Sequence, residues 1–266
     1  MTKRALCVGI NNYPGTANDL RGCVNDARNW ADVLKSRGYD VTTLLDSQAT
    51  KKGMVDALLK LIASGMAAGD SLVFTYSGHG SYVVDTSGDE SDQRDECLCP
   101  HDIGNGNFIV DDELAVIFGR KREGVHLYFI SDSCHSGTVS RFADLGLLSE
   151  ADQSARVRFL PPDVFMGFSE KYNPALASGA LKATTRQKYP AVLFAACRDT
   201  EYSYDAQFGG VPAGAFTYCA IKALAAQNPK TPADFQMAIR NYLPSRQYPQ
   251  SPQLYASASS KRGPMF

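Results

Sequence analysis

Short apolar runs alternate with amphipathic segments along most of this chain, and this alternation is the strongest constraint on its fold. The apolar runs have the length of strands, whereas the segments between them repeat their apolar residues with helical spacing. Strands that alternate with helices favour parallel pairing, because each crossover helix returns the chain to the same edge of the sheet. The sequence therefore predicts an α/β fold, a three-layer α/β/α sandwich around a mainly parallel sheet. The predicted strands are residues 4–10, 39–45, 71–76, 125–131 and 191–197.

Helices are predicted between these strands from apolar spacing and from capping residues. Thr50 precedes a segment whose apolar residues recur at helical spacing, and its hydroxyl is a typical helix cap. Thr231 followed by Pro232 is a cap and a first-turn proline. Helices are therefore predicted after both threonines and in the segments 25–37, 111–118 and 217–226.

Charge and composition exclude several classes of partner. The chain has 266 residues with 27 Lys and Arg against 28 Asp and Glu, a net charge of −1, so no excess of basic charge exists to neutralise nucleic acid phosphates. No apolar run approaches the roughly 18 residues that a membrane span needs, and no export signal is visible. Seven cysteines, an odd number, exclude a complete disulfide framework and favour a cytoplasmic protein.

Two glycine-flanked motifs follow directly after predicted strands, YSGHG at 76–80 and DSCHSG at 132–137. Open α/β sheets bind their ligands at the carboxyl ends of the strands, so neighbouring strands would bring His79 and Cys134 together. A cysteine thiol needs a base to become a nucleophile, and an imidazole can return the proton to a leaving amine. The motifs therefore predict Cys134 as a nucleophile with His79 as its base. The backbone N–H groups of Gly80 and Cys134 are the predicted oxyanion donors.

Each of these candidates has a structural alternative. A lone buried cysteine is commonplace, so Cys134 by itself is ambiguous. His79 lies between two glycines at a strand end, which is a poor place for core packing. His135, adjacent to the cysteine, is a second candidate base, although side chains of consecutive residues rarely face each other. The two motifs together favour catalysis over packing.

The two motifs in this order resemble those of the metacaspases, which are caspase-like cysteine peptidases, and of their bacterial relatives. The similarity runs from about residue 4 to residue 254, and the QACxG motif of caspases proper is absent. Further segments that carry the resemblance are DLRGCVNDA at 19–27, YFISDSCHSG at 128–137, ACRDTEYSYDA at 196–206 and GAFT at 214–217.

The resemblance implies a caspase-like fold in a single domain that covers residues 1–266. A large-subunit-like half would span about 1–140 and a small-subunit-like half about 189–266. The stretch of about 141–188, which has weak periodicity, is interpreted as a surface connection between them. The resemblance also implies peptide-bond cleavage after Arg or Lys through a thioacyl-enzyme.

The S1 pocket, which receives the residue before the scissile bond, maps by this resemblance onto Cys23, Asp26, Ser77 and Asp132. Two carboxylates in such a pocket favour a basic side chain through charge-assisted hydrogen bonds and repel an acidic one. They also argue against the cleavage after Asn that other related peptidases perform. The alternative for Asp26 is a solvated position on the first helix.

Many metacaspases are activated by calcium, and the family's site maps onto Asp95, Asp111 and Asp112. Carboxylate oxygens suit this hard cation. The fourth ligand position holds Arg141, whose positive charge opposes calcium binding. Asp111 and Asp112 also fit a first helical turn, where negative charge is stabilising. We therefore expect no required cofactor, with calcium as the alternative.

Cys97, Cys99 and His101 alternate, so they would share one side of a strand. Three ligands on one strand do not converge tetrahedrally on zinc. A small hairpin with two half-buried thiols is the preferred interpretation.

The leading functional hypothesis is a cytoplasmic, monomeric endopeptidase that acts on proteins or peptides. The alternative is a caspase-like scaffold or latent signalling module whose activity is weak or triggered by a partner. Basic residues in the connection fit the acidic pocket, and self-cleavage is predicted at one or more of them. These candidates are Arg156, Arg158, Lys171, Lys182 and Arg186.

Overall fold

A six-stranded sheet forms the centre of the structure, a computed structural model that describes residues 1–84, 94–134, 155–166 and 190–266. The strands of the described residues are β1 (Lys3–Gly9), β2 (Asp40–Leu45), β3 (Ser71–Ser77), β4 (Gly80–Val84), β5 (Arg94–Leu98), β6 (Ile109–Val110), β7 (His126–Asp132), β8 (Arg156–Val157), β9 (Val192–Ala195), β10 (Tyr204–Phe208), β11 (Val211–Gly214) and β12 (Gln253–Tyr255). The helices are α1 (Cys23–Ser36), α2 (Lys51–Ile62), α3 (Asp111–Gly119), α4 (Asp163–Met166), α5 (Ala215–Gln227), α6 (Pro232–Ile239) and α7 (Ala258–Lys261).

The central sheet has the strand order β12-β9-β7-β3-β1-β2. Its five predicted strands pair in parallel, and β12 adds an antiparallel edge next to β9. The prediction of a mainly parallel α/β fold is therefore confirmed. The pattern does not indicate β12, because a strand of three residues is too short for its alternation to be recognised.

Helices cover both faces of this sheet because successive strand residues point to opposite sides. In β3, Leu72 and Phe74 pack in one apolar cluster with residues of α2 and α3, whereas Val73 packs in a second cluster with residues of α1, α5 and α6. Trp30 of α1 is only 1% exposed. Burial of such large side chains contributes about 1.5–3 kcal/mol each and holds the three layers together.

The two predicted threonine caps begin helices. The Thr50 hydroxyl oxygen accepts the Gly53 N–H at 3.1 Å, and the Thr231 hydroxyl oxygen accepts the Asp234 N–H at 3.1 Å. Each bond satisfies a backbone donor that has no partner within the first helical turn. None of the helices in the described ranges has the length and apolarity needed to cross a membrane.

Two small three-stranded sheets stand at the carboxyl end of the central sheet. One has the order β4-β5-β6, and its first strand begins one residue after His79. The other has the order β11-β10-β8. Strand β8 and helix α4 belong to the stretch that the sequence pattern predicts as a surface connection. That interpretation is wrong for Arg158, Phe159, Leu160 and Phe165, which are buried.

Candidate active site

The central sheet brings the two predicted catalytic residues to one rim. Strands β3 and β7 are parallel neighbours, and their last residues, Ser77 and Asp132, lie opposite each other. His79 and Cys134 each follow two residues later, and both are buried. The shared edge of two parallel strands thus juxtaposes motifs that are 55 residues apart in the chain.

His79 is oriented by a backbone carbonyl. Its Nε2 lies 2.6 Å from the carbonyl oxygen of Asn18, which only accepts hydrogen bonds, so Nε2 carries the ring proton. Its Nδ1 has no hydrogen-bond partner among the described residues and is left as the acceptor. The Tyr13 ring packs against the imidazole at 4.8 Å. Sequence reasoning missed Asn18, because a carbonyl contact has no residue-type signature.

Burial lowers the pKa of His79 from 6.5 to about 4, because a desolvated imidazole favours its neutral form. A neutral ring is the form that can accept the proton of a thiol. The same shift has a stability consequence. As the pH falls from about 6.5 to about 4, the unfolded chain binds a proton that folded His79 does not, so this group's contribution lowers stability.

We expect the His79 ring to remain neutral at pH 5, where an ordinary histidine is protonated. Nuclear magnetic resonance titration of the ring in the Cys134→Ala variant measures this, with His79→Gln to assign the signal among the four histidines. A midpoint near 6.5 in the folded protein would contradict the buried environment.

Cys134 lies in a buried cluster with Phe159 and Cys197. Its Sγ accepts the backbone N–H of Ser203. All seven cysteines are buried free thiols. The pKa of Cys197 is raised well above its usual value, mainly by a hydrogen bond with Cys134 and also by burial. Cys197 therefore stays a neutral thiol beside the nucleophile candidate.

Two backbone N–H groups converge on one carbonyl oxygen next to Cys134. Gly80 and Cys134 donate to the oxygen of Arg158 at 3.0 and 3.2 Å. These are the two groups predicted as oxyanion donors. In the structure both donate to a backbone carbonyl oxygen of the same chain, that of Arg158. The Arg158 N–H donates in turn to the Ser203 carbonyl oxygen at 3.0 Å. The backbone of Arg158 is thus held from both sides.

The Arg158 side chain fills an acidic pocket. Its guanidinium nitrogens lie 2.6 Å from Asp26, 2.9 Å from Asp205 and 3.1 Å from Asp132. All four side chains are buried. The alternative position of Asp26 on a solvated helix face is therefore wrong. Asp205, which the predicted pocket did not include, lies within the quoted ACRDTEYSYDA segment, but nothing in its local pattern marks it as a pocket residue.

The other predicted pocket residues lie around this ion cluster. Cys23 begins α1 and Ser77 ends β3, and both are buried. Burial raises the pKa of Cys23 well above its usual value, so it lines the pocket as a neutral thiol. A Cβ at Gly214 would overlap Asp132 Oδ2 and lie 2.6 Å from Arg158 Nη1. A residue without a side chain is therefore required at this wall.

Backbone and hydroxyl donors hold the carboxylates in place. Asp132 accepts the Thr217 N–H and hydroxyl at 3.0 and 2.7 Å and the Ser203 hydroxyl at 2.6 Å. Asp205 accepts the backbone N–H groups of Arg21 and Gly22 at 2.7 and 2.9 Å. These hydrogen bonds fix the positions of the two carboxylates, so the pocket is preorganised for a basic side chain.

Three carboxylates face one guanidinium. Burial raises the pKa of Asp26 to about 7 even though Arg158 opposes the shift. Burial alone would lower the pKa of Arg158, but the carboxylates, with Asp132 contributing most, raise it well above its usual value. The guanidinium is therefore charged, and a proton on Asp26 relieves the repulsion among the three acids below about pH 7.

The acids of the predicted calcium site are not among the carboxylates that pair with Arg158. Asp95 is on β5, and Asp111 and Asp112 begin α3. Arg141 and the alternative base His135 lie outside the described residues. Within the described part of the chain, no group of three His, Cys, Asp or Glu side chains is arranged to hold a metal ion. The calcium site stays a prediction.

The thiols of the predicted hairpin are more deeply buried than expected. Cys97 and Cys99 are 1% and 0% exposed, so the prediction of half-buried thiols is wrong. Cys97 lies on β5, whose partner β4 follows His79. The pair therefore belongs to the core beneath the site.

The fold and the rim site define a caspase-like α/β protein. A crystal structure of caspase-1 from Spodoptera frugiperda superposes with a TM-score of 0.60 at 11% identity, covering 95% of this chain and 86% of that chain. A crystal structure of a Geobacter sulfurreducens protein superposes with a TM-score of 0.79 at 29% identity, covering 98% of this chain and 97% of that chain.

Residues 3–143 match the sequence profile described as "Metacaspase, peptidase C14 domain". Metacaspase-1 of Cryptococcus neoformans var. neoformans serotype D and metacaspase-1 of Mycosarcoma maydis are 34% and 33% identical over 96% of this chain. The chain belongs to the metacaspase family. It spans 62% and 63% of the lengths of two Cryptococcus relatives and 70% of the Mycosarcoma relative.

Proposed function

We propose that this chain is a cysteine endopeptidase that cleaves proteins or peptides after Arg or Lys. Arg158 carries this proposal, because its carbonyl oxygen lies on two N–H donors beside Cys134 while its guanidinium lies among three carboxylates. A substrate residue must meet both conditions at once. The three carboxylates select a basic side chain, and the two N–H donors bind the carbonyl oxygen of the peptide bond that reacts.

The proposed mechanism uses the donors and acceptors at the rim of the sheet. His79 Nδ1 takes the proton of Cys134, and the sulfur attacks the carbonyl carbon of the residue in the pocket. The N–H groups of Gly80 and Cys134 stabilise the resulting oxyanion. The imidazolium then protonates the leaving amine, and water hydrolyses the thioester with His79 again acting as the base.

The pocket favours Arg over Lys and excludes Asp. A guanidinium presents several donors in a plane and pairs with more than one carboxylate, as Arg158 does with Asp26, Asp132 and Asp205. An ammonium makes fewer such contacts, and a substrate carboxylate adds a like charge to a desolvated acidic site.

A latent module is the second candidate, because Arg158 fills the pocket that a substrate needs.

The seven free thiols suit the reducing cytoplasm in which we expect this enzyme to act as a monomer. Calcium at Asp95, Asp111 and Asp112 remains the alternative to a cofactor-free enzyme.

We expect a peptide with Arg before a fluorogenic group to be hydrolysed about 10³-fold faster, by kcat/KM, than the matched Asp peptide, with the Lys peptide between them. Parallel assays with calcium and with a chelator measure any requirement for the cation. Equal rates for Arg and Asp would contradict the proposed pocket. If none of the peptides is hydrolysed, the result would contradict the proposed peptidase activity and favour the scaffold.

A further inference from the structure

Two buried tyrosine hydroxyls meet at the backbone of His79. The His79 N–H donates to the Tyr13 hydroxyl oxygen at 2.8 Å, and the Tyr76 hydroxyl donates to the His79 carbonyl oxygen at 2.6 Å. Both tyrosines are fully buried, and the proposed mechanism uses neither of them. A buried residue whose N–H and carbonyl are both paired keeps its position, because any shift would cost those hydrogen bonds.

The two hydroxyls also hydrogen-bond to each other. The Tyr13 oxygen accepts the His79 N–H, so its own proton is free to go to the Tyr76 oxygen. The Tyr76 proton goes to the carbonyl oxygen of His79, with that of Cys99 at 2.9 Å as a second acceptor. Burial raises the pKa of both tyrosines well above its usual value, so both hydroxyl protons stay in place. The bonds form a closed cycle from the His79 N–H to its own carbonyl, and hydrogen bonds in such a chain strengthen one another.

Tyr13 also connects the two loops that fix the imidazole. Its ring packs against the His79 ring at 4.8 Å, with 52° between the two planes. Its backbone N–H donates to Asp19 Oδ1 at 2.9 Å. Asp19 directly follows Asn18, whose carbonyl oxygen lies 2.6 Å from His79 Nε2. One residue thus contacts the backbone of His79, its ring and the segment that supplies the acceptor for that ring.

The glycine before His79 lies against the same hydroxyls. A Cβ at Gly78 would lie 2.6 Å from the hydroxyl oxygens of both Tyr13 and Tyr76. The YSGHG motif therefore requires glycine at this position so that the backbone can reach the tyrosine pair. The Gly78 N–H also donates to the Asp132 carbonyl oxygen at 3.4 Å. The loop of His79 is thus positioned between the two tyrosines and the end of β7, two residues before the candidate nucleophile.

We propose that Tyr13 is a positioning residue for the peptidase reaction. Together with Tyr76, it fixes the backbone and the ring of His79 so that Nδ1 stays available to the Cys134 thiol. This inference rests on the proposed peptidase function and gives neither tyrosine a part in proton transfer. It predicts an effect on kcat rather than on KM, because the pocket carboxylates are held by hydrogen bonds from other residues.

Steady-state kinetics of the Tyr13→Phe variant with the fluorogenic Arg peptide tests this role. The variant keeps a ring beside the imidazole but leaves the buried His79 N–H without its acceptor, so the loop must shift to satisfy it. We expect kcat per folded molecule to fall at least about 30-fold and KM to stay within about 3-fold of the wild-type value. Thermal unfolding supplies the folded fraction. A KM that rises while kcat is unchanged would contradict the positioning role.

Tyr39→Phe is the matched control, because Tyr39 is also buried and its hydroxyl hydrogen-bonds with the Ser71 hydroxyl at 2.6 Å. Ser71 begins β3, whereas His79 follows the end of that strand. The same atom is therefore removed at the opposite end of one strand. We expect kcat and KM of this variant to stay within about 3-fold of the wild type. Equal losses of kcat in the two variants would overturn the positioning role.

Tyr76→Phe tests the same hydrogen-bond cycle from its other side, including the case in which Tyr13→Phe does not fold. The His79 carbonyl oxygen still accepts the Cys99 N–H at 3.1 Å in this variant, so we expect a smaller loss of about 10-fold in kcat. The double variant should lose no more than about 3-fold beyond Tyr13→Phe, because both hydroxyls act through one cycle. Unchanged kcat in folded Tyr76→Phe, or fully multiplicative losses, would overturn the cycle.

Nuclear magnetic resonance of the Cys134→Ala protein follows the His79 ring independently of catalysis. The Nε2 proton that faces the Asn18 carbonyl should exchange slowly at neutral pH, because it is buried and hydrogen-bonded. Adding Tyr13→Phe should speed the exchange of this proton and of the His79 amide at least about 10-fold. Adding Tyr39→Phe should change neither rate by more than about 2-fold. Equal exchange rates in the two double variants would overturn the positioning role.

Hydrolysis by the wild type separates this inference from the proposal on which it rests. If the wild type hydrolyses the Arg peptide and folded Tyr13→Phe does so with unchanged kcat, this inference alone is overturned. If the wild type hydrolyses no peptide, the peptidase proposal is overturned, and the role of Tyr13 in the reaction is overturned with it even where the ring signals respond as expected.

Discussion

Replacing Cys134 by alanine is expected to reduce hydrolysis of an Arg peptide by at least about 10⁴-fold. The reason is that the thiol is the only group of the site that forms the covalent intermediate in the proposed mechanism. The N–H group of residue 134 that binds the oxyanion belongs to the backbone and is kept in the variant. The loss of activity therefore reports on the thiol alone. Steady-state kinetics with the fluorogenic Arg peptide measures this effect.

Cys219→Ala is the control for this substitution, because Cys219 is also a buried free thiol but lies on α5 in a different apolar cluster from Cys134. We expect it to keep activity within about 3-fold. Thermal unfolding of both variants shows whether either loses its fold. A folded Cys134→Ala protein with undiminished activity would remove Cys134 from the mechanism.

Replacing Asp132 by asparagine is expected to lower kcat/KM for an Arg peptide by about 100-fold. The substitution removes one negative charge from a desolvated pocket but keeps a side chain of similar shape. A peptide with citrulline in place of Arg is a neutral isostere of the substrate. The Asp132→Asn variant should discriminate Arg from citrulline far less than the wild type does, which a general structural defect would not produce.

Asp26→Asn is the matched comparison, because Asp26 faces the same guanidinium from α1. Burial raises the pKa of Asp26 to about 7, so it already carries a proton over much of the acidic range. We therefore expect a smaller loss of about 10-fold, which grows as the pH rises above 7. Unchanged Arg-to-citrulline discrimination in both variants would contradict the acidic pocket.

Much of this site could be predicted because its geometry follows from a regular sheet. His79 and Cys134 converge since each follows a parallel strand by two residues, and the strands are neighbours. The threonine caps at 50 and 231 were also predictable, because a cap depends only on residues within one helical turn. Local periodicity and local hydrogen bonding are properties that a sequence pattern carries directly.

The composition of the pocket was less predictable. Asp26 had a plausible place on a solvated helix face, and its burial depends on β11 and on Arg158, which are far away in the chain. The contact between Arg158 and Asp26 joins residues 132 positions apart. No period or spacing encodes such a contact, since it exists only once the small β11-β10-β8 sheet packs against the rim.

The sequence by itself determined the α/β class and the two motifs. It also determined that both motifs follow parallel strands, which places them at the same edge of the sheet. The tertiary structure alone decided which of two nearby arginines enters the acidic pocket, that Asp205 joins Asp26 and Asp132 there, and that the Asn18 carbonyl orients His79. The physical reason is that strand and helix periods follow from the covalent backbone. The choice of one charged partner depends on desolvation and on contacts among segments that meet only in the folded chain.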